Sequence, residues 1–203
     1  MTFSMVARCP ETFALGVCVS SAIAAVGSRV PHIEAGVGAI ATQANTNILY
    51  GINGLKLLNK GFSPQIALET MLKKDSDRES RQVIIIDKDG RTAAFTGRET
   101  IDWRGHIIGK DYVVAGNVLV GSRVIEAMAQ TFESLEGDLA ERLMKALEAG
   151  QDAGGDRRGR VSAALLIANK KPSGTPLLNL TVDQHPDPVK ELKRIFETYR
   201  KQE

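Results

Sequence analysis

Residues 2–21 read TFSMVARCPETFALGVCVSS, and this stretch decides the fold that the rest of the sequence has to fit. Two runs rich in β-forming residues, 2–7 and 15–20, are joined by a turn-prone connection at residues 10–12. This pattern predicts a β-hairpin. The first strand begins at the second residue, Thr2, which either opens an edge strand or is placed there for its chemistry.

The composition is that of a soluble globular protein, with 43% apolar and 25% charged residues in 203. We find no internal repeat and no linker, so we expect a single domain over residues 1–203. Because 26 basic side chains nearly balance 24 acidic ones, the charge pattern favours neither nucleic acid nor an anionic membrane as a partner. No apolar stretch approaches the ~20 residues of a membrane span, and no signal-peptide pattern is present, so we expect a cytoplasmic location.

Beyond the hairpin, blocks of predicted strands alternate with pairs of predicted helices. Further strands are predicted over 37–43, 82–87, 92–97, 112–120, 162–169 and 177–183, and helices over 48–58, 63–71, 122–132, 138–147 and 187–196. Ser63, Ser122 and Asp138 are the predicted N-caps of the second to fourth helices. This grouping favours an α+β fold of two packed, mainly antiparallel sheets covered by helix layers, rather than βαβ alternation.

Several common sites are absent from the sequence. There is no phosphate loop with its lysine, no HExxH, no paired Cys-x-x-Cys and no G-x-S-x-G, so we expect no cofactor. His106, His185 and Asp183 do not have the spacing of metal ligands, and we expect no metal. Cys9 and Cys18 lie in apolar runs, which is typical of reduced core residues. An enzyme that uses one of them as its nucleophile stays open as an alternative function.

Thr2 is the first candidate catalytic residue. Cytosolic processing removes an initiator methionine that precedes a small residue, which would leave Thr2 with a free α-amine. An α-amine has an unperturbed pKa of ~7.7–8.0, so it can act as a base toward the hydroxyl of the same residue. A strand that starts at once would hold the two groups rigidly, as catalysis requires.

Five ordered blocks carry a resemblance to a known family. They are TFSMVAR with LGVCVSS (2–21), VGSRVPHIEAGVGAIATQANTN (26–47), IDWRGHIIGKDYVVAGN (101–117), AGGDRRGRVSAALL (153–166) and VDQHPDPV (182–189). Over essentially the whole chain, these blocks resemble the bacterial and archaeal domain-of-unknown-function family numbered 1028. That family is grouped with the N-terminal-nucleophile (Ntn) hydrolases, which include proteasome subunits and penicillin acylase.

The resemblance implies a four-layer αββα sandwich and the hydrolysis of an amide bond. It also exposes a departure, because proteasome-like members have a lysine on the third strand and the matching stretch here, AGVGAIATQ, has none. Alternation along the first strand places Arg8 on the same face as Thr2, so Arg8 is a possible substitute for that lysine.

Two further residues are predicted to be catalytic. Asn117 follows Gly116 in an apolar strand, where its amide can donate to an oxyanion while the glycine lets a substrate approach, or simply hydrogen-bond nearby backbone. Asp156, in the loop GGDRRGR, can hold the α-ammonium of Thr2, or the loop is simply a solvated one.

The candidate substrate-binding residues are polar side chains near predicted strand ends and in the charged loop. They are Gln43, Asn45, His106, Arg157 and Arg160. The amides can orient a substrate amide or cap the next helix, and His106 can contact substrate or form a structural hydrogen bond. An arginine of the loop can pair a substrate carboxylate.

The sequence thus predicts an Ntn amidohydrolase for a small amide or peptide-like substrate, with Thr2 as nucleophile after removal of Met1. The alternative is a catalytically inactive sandwich that binds a small metabolite or acts as an assembly partner. In either case we expect a homodimer.

Overall fold

The computed structural model describes residues 2–169 and 178–202, and ten strands in this part of the chain form two antiparallel sheets. In chain order they are β1 Thr2–Arg8, β2 Leu15–Ser21, β3 Pro31–Glu34, β4 Gly38–Ala44, β5 Arg81–Asp87, β6 Thr92–Thr96, β7 Gly105–Gly109, β8 Tyr112–Asn117, β9 Ser162–Ala168 and β10 Leu178–Val182. The six-stranded sheet has the order β10-β9-β2-β1-β8-β7, and the four-stranded sheet has the order β3-β4-β5-β6. The predicted hairpin of β1 and β2 is therefore the centre of the larger sheet.

Five helices cover the outer faces of the two sheets. They are α1 Leu49–Asn59, α2 Pro64–Leu72, α3 Arg123–Ser134, α4 Leu139–Asp152 and α5 Pro188–Arg200. Short 3-10 turns occur at Val26–Ser28 and Arg78–Ser80. The first helix pair packs on the four-stranded sheet, and the other three helices pack on the six-stranded sheet.

Three apolar cores fill the spaces between these layers. Alternation along β1 turns Phe3 and Met5 toward the helices α3 and α4, while Val6 faces the other sheet. The second core, between the sheets, also contains Ile84 of β5, and the third lies under α1 and α2. The protein is thus an α+β, four-layer αββα sandwich, as predicted.

Helix caps were predicted with mixed success. The Ser63 hydroxyl accepts a hydrogen bond from the Ile66 amide at 3.4 Å, and Asp138 Oδ1 accepts one from the Glu141 amide at 3.1 Å. Ser122 makes no such bond to α3, so that cap was wrong.

Two edge strands were missed. β3 and β7 are short, only partly buried, and bounded by turn-forming residues, which made them resemble loops. His106 therefore lies on a strand, β7, that the sequence pattern did not predict. The strand predicted over 177–183 corresponds to β10, but its first residue lies outside the described residues.

Candidate functional site

Two rows of polar side chains face each other between the sheets at the start of β1. On the six-stranded sheet the row consists of residues paired across adjacent strands, Ser162, Ser21, Thr2 and Asn117. On the four-stranded sheet the paired residues are Gln43, Gln82 and Thr96. Two residues further along each strand, the side chains on the same face are mainly apolar. Val19 and Ile84, for example, belong to the core between the sheets.

The members of the two rows are deeply buried, except Thr96, which is partly exposed. Thr2 is 2% exposed, Gln43 1%, and both Gln82 and Asn117 0%. Burying polar groups costs free energy unless they are hydrogen-bonded. The rows must therefore be bonded to each other.

Gln82 is the centre of the resulting network. Its Nε2 lies 2.9 Å from the Gly116 carbonyl oxygen, 3.0 Å from that of Gly105 and 3.0 Å from Thr96 Oγ1. Its Oε1 accepts from Gln43 Nε2 at 2.7 Å and from Asn117 Nδ2 at 2.8 Å. Because backbone carbonyls can only accept, the Gln82 amide can have only this orientation.

The orientation of Gln82 fixes its two neighbours. Gln43 must turn its Nε2 toward Gln82, and its Oε1 then accepts from the Ser4 hydroxyl at 2.7 Å. Asn117 must likewise donate through Nδ2. Its other branch, Oδ1, is buried and has no hydrogen-bond partner among residues 2–169 and 178–202. Such an atom costs about 1–3 kcal/mol relative to a bonded one.

Thr2 is held by groups on both sides. Its Oγ1 donates to Ser21 Oγ at 3.2 Å, and its carbonyl oxygen lies 3.4 Å from Gln43 Nε2. At the other end of β1, the Arg8 amide donates to the Asp111 carbonyl beside β8. Alternate residues of a strand direct their backbone groups to the same side, and Thr2 and Arg8 are an even number of residues apart. The backbone nitrogen of Thr2 therefore also points to β8, at its partner Asn117.

Asp156 lies beyond the start of β1. Its backbone forms an isolated β-bridge with Leu119, which follows β8, and its Oδ2 accepts a hydrogen bond from the amide of Ala22, which follows β2, at 3.4 Å. Asp156 therefore lies between the segments that leave the two strands flanking β1. Asp156 is 3% exposed, and its carboxylate accepts hydrogen bonds from the Arg158 guanidinium. Asp156 Oδ2 lies 2.8 Å from Arg158 Nη2, and Asp156 Oδ1 lies 3.1 Å from Arg158 Nε. The described residues show no bond between Asp156 and Thr2.

The predicted substrate-binding residues are less closely grouped. Gln43 belongs to the network, and His106 is connected to it because its Nδ1 lies 2.8 Å from Thr96 Oγ1. Partial desolvation at the sheet edge lowers the pKa of His106, an exposed residue, and favours the neutral imidazole. Asn45 is exposed and bonds Ser80.

The two loop arginines differ in what they contact. Arg157 is exposed and its backbone amide donates to the Val118 carbonyl, which places it close to the end of β8. Arg160 forms an ion pair with Asp187 at 3.5 Å.

The suggestion that Arg8 replaces a lysine beside Thr2 was wrong. Arg8 is on the predicted face, but it is six residues from Thr2, or roughly 20 Å along an extended strand. Its guanidinium bonds Asp111 at 2.9 Å and the Lys88 carbonyl at 2.7 Å. On the strand that was expected to supply a lysine, the side chain that reaches Thr2 is the neutral amide of Gln43.

Sequence reasoning missed Gln82 and Thr96. A signal was available for Gln82, because alternation in QVIIID puts it on the same face as Ile84 and Ile86, both of which pack between the sheets. A glutamine at such a position requires polar partners.

Other possible sites lie elsewhere or are not found. A cavity of about 830 Å³, lined by Arg8, Arg142 and Phe196 among others, is at the opposite end of β1 from Thr2. Within the described ranges, no three His, Cys, Asp or Glu side chains are grouped so that they could hold a metal ion. None of the helices described is long and apolar enough to cross a membrane.

Comparison with known proteins adds a family. The model of a family of unknown function, DUF1028, matches residues 2–192. The crystal structure of protein SPO2555 from Silicibacter pomeroyi, described with the same family model, is 32% identical, covers 97% of this chain and 85% of its own, and has a TM-score of 0.90. No curated protein matches significantly.

Two more distant solved structures are both Anbu proteins. Anbu (ancestral beta-subunit) from Yersinia bercovieri is 10% identical with a TM-score of 0.44, and Anbu from Hyphomicrobium sp. strain MC1 is 8% identical with a TM-score of 0.43. Each alignment covers 99% of this chain and 96% of the other. Likenesses this weak support no argument about function.

Proposed function

The chain belongs to DUF1028, a family of unknown function, and on that premise we propose that it is an Ntn amidohydrolase for a small amide or peptide-like substrate. One observation carries the proposal. Thr2 opens a central strand, its hydroxyl bonded to Ser21 and its nitrogen directed at Asn117, within a row of buried polar groups. A threonine needed only for strand structure would not require this polar surrounding.

The proposed reaction begins after removal of Met1. The free α-amine of Thr2 takes the proton of Oγ1 as that oxygen attacks the substrate carbonyl carbon. The C–N bond then breaks, the leaving amine takes the proton, and an ester to Thr2 remains. Water, deprotonated by the same amine, hydrolyses the ester and restores the hydroxyl.

The neighbouring residues have supporting roles in this proposal. Asp156 stabilises the ammonium form of the α-amine from beyond the start of β1, and Arg158 offsets the buried negative charge of its carboxylate. Asn117 is an oxyanion donor only through the second hydrogen of Nδ2, because the first bonds Gln82. Arg157 is the loop arginine available to a substrate carboxylate, whereas Arg160 would have to leave Asp187.

A second candidate, an inactive sandwich that binds a small metabolite, is favoured by two observations. In the chain that retains Met1, Thr2 is only 2% exposed and is closed to a substrate. In addition, no lysine or arginine of residues 2–169 and 178–202 bonds the Thr2 side chain. The homodimer and the cytoplasmic location stay predictions under either candidate.

The proposal is tested in two steps. The intact mass of the protein purified from cytosol shows whether Met1 has been removed. Hydrolysis of a panel of acyl amides is then compared for the chain beginning at Thr2, Thr2→Ser and Thr2→Ala. We expect turnover with threonine, weaker turnover with serine and none with alanine, all three variants being folded. Equal turnover of the alanine variant would exclude Thr2 as nucleophile, whereas no turnover by any of the three folded proteins would favour the binding protein.

A further inference from the structure

The unpartnered Oδ1 of Asn117 is the most unusual atom of the site. Asn117 is fully buried, and most buried polar atoms have a partner. Rotating the amide would not remove the problem, because Nδ2 would then leave the Gln82 acceptor and two oxygens would face each other. Among the described residues, the fold therefore holds a buried hydrogen-bond acceptor in a fixed orientation with no donor bonded to it.

The atom that best complements this acceptor is the nitrogen of Thr2. Thr2 and Asn117 are directly paired across β1 and β8, and the parity of the ladder directs the Thr2 nitrogen toward Asn117. As a peptide nitrogen it carries one hydrogen, which the ladder uses on the Asn117 carbonyl. As a free amine it carries two, and as an ammonium three.

We propose that Asn117 Oδ1 is the acceptor for the free α-amine of Thr2, and that Gln82 is the positioning residue that keeps this acceptor in place. A neutral amine with its two hydrogens on the carbonyl and the Oδ1 of Asn117 has its lone pair left over for the Thr2 hydroxyl. This is the geometry that a base acting on its own side chain requires. Asn117 thus binds the amine through Oδ1, and only the second hydrogen of Nδ2 is left for an oxyanion.

The role of Gln82 follows from its own partners. The carbonyls of Gly105 and Gly116 fix its Nε2, so that its Oε1 must hold the Nδ2 of Asn117. No described hydrogen bond joins Gln82 to Thr2, so Gln82 acts on Thr2 only through Asn117 and Gln43. The charged side chains placed beyond the start of β1 include Asp156 and Arg158, which are bonded to each other, and Arg157, whose backbone amide bonds the Val118 carbonyl.

The inference deepens the proposed function and rests on it only for the premise that Thr2 becomes the first residue. It is tested on the full chain prepared to begin at Thr2 by cleavage of an N-terminal fusion. The pKa of the α-amine is read from the ¹³C shifts of Thr2 in threonine-labelled protein over pH 5–10.

We expect Asn117→Ala to lower the pKa of the α-amine by about 1, because the charged form loses an acceptor. Gln82→Met should lower it in the same direction, although the methionine side chain would not touch the amine. Ile84→Val, two residues along β5 on the same face, controls for loosening of the core and should leave the pKa unchanged.

An unchanged pKa in Asn117→Ala would overturn the acceptor role, and an unchanged pKa in Gln82→Met alone would overturn the positioning role. Should Gln82→Met fail to fold, Gln82→Asn, whose amide is too short to span both carbonyls and Asn117, is measured in its place with the same expectation. The pKa needs no turnover, so a chain that hydrolyses nothing yet shows these shifts would contradict the proposed function while sustaining this inference.

Discussion

Replacing Gln82 with methionine is the sharpest test of the buried network. The two side chains have similar length and volume, so Gln82→Met removes the amide without creating a large cavity. The change leaves three groups without this partner in the buried part of the network, the Gln43 Nε2, the Asn117 Nδ2 and the Gly116 carbonyl.

The magnitude follows from two of these groups, because the Gly116 carbonyl keeps its ladder partner Gly105 on β7. An unsatisfied buried polar group costs about 1–3 kcal/mol, and Gln43 Nε2 keeps a weaker contact with the Thr2 carbonyl, so we expect a loss of about 2–5 kcal/mol. That is a large share of the roughly 5–15 kcal/mol by which domains of this kind are stable.

The assay is urea unfolding, followed both by circular dichroism and by the fluorescence of Trp103, the single tryptophan. The matched control is Gln65→Met, because Gln65 bonds Glu69 on the exposed face of α2 and its loss should change the free energy of unfolding by less than ~0.5 kcal/mol. If Gln82→Met were no more destabilising than Gln65→Met, the network would not have the energetic importance we assign to it.

Three further predictions concern other parts of the molecule. Gly97→Ala would place a Cβ against the Glu79 carbonyl, so we expect a loss of about 1–3 kcal/mol, and an unchanged Tm would show that the backbone yields there. Burial raises the pKa of Cys18 to about 12, so iodoacetamide at pH 8 should label it only as fast as the protein unfolds; rapid labelling of the native protein would reopen the cysteine-enzyme alternative. Burial lowers the pKa of His32 and His106, so near pH 6.5 and below the unfolded chain binds more protons than the folded one, and the free energy of unfolding should fall from pH 7 to pH 5. The fall should be smaller in His32→Gln and in His106→Gln. If both variants lost as much stability between pH 7 and pH 5 as the unsubstituted protein does, these histidines would not be its cause.

The layered fold was predictable because its signals are local. Helix pairs between blocks of strands, the hairpin of β1 and β2, and the cap at Ser63 are each determined by residues close in the sequence. The order of strands in the sheets was not predictable in this way. The pairing of β2 with β9, for example, joins residues about 140–150 positions apart, and only the complete core selects it.

The candidate site was predicted in part for the same reason. Asn117 was noticed because a polar residue interrupts an apolar strand, and Gln82 gave the same signal at the start of β5. What could not be inferred is that these two amides meet across the gap between the sheets. Arg8 shows the opposite error, since proximity in the sequence placed near Thr2 a side chain that an extended strand carries to the far end of the sheet.

The measurement that tests the central claim most directly is covalent labelling of Thr2 by a β-lactone, which an activated hydroxyl opens to form an ester. The chain beginning at Thr2, the same chain with Met1 retained and Thr2→Ala are treated alike and analysed by intact mass and peptide mapping. We predict one added lactone, on the Thr2 hydroxyl, in the first protein only. Equal labelling with Met1 retained, or labelling elsewhere in Thr2→Ala, would contradict an amine-activated threonine.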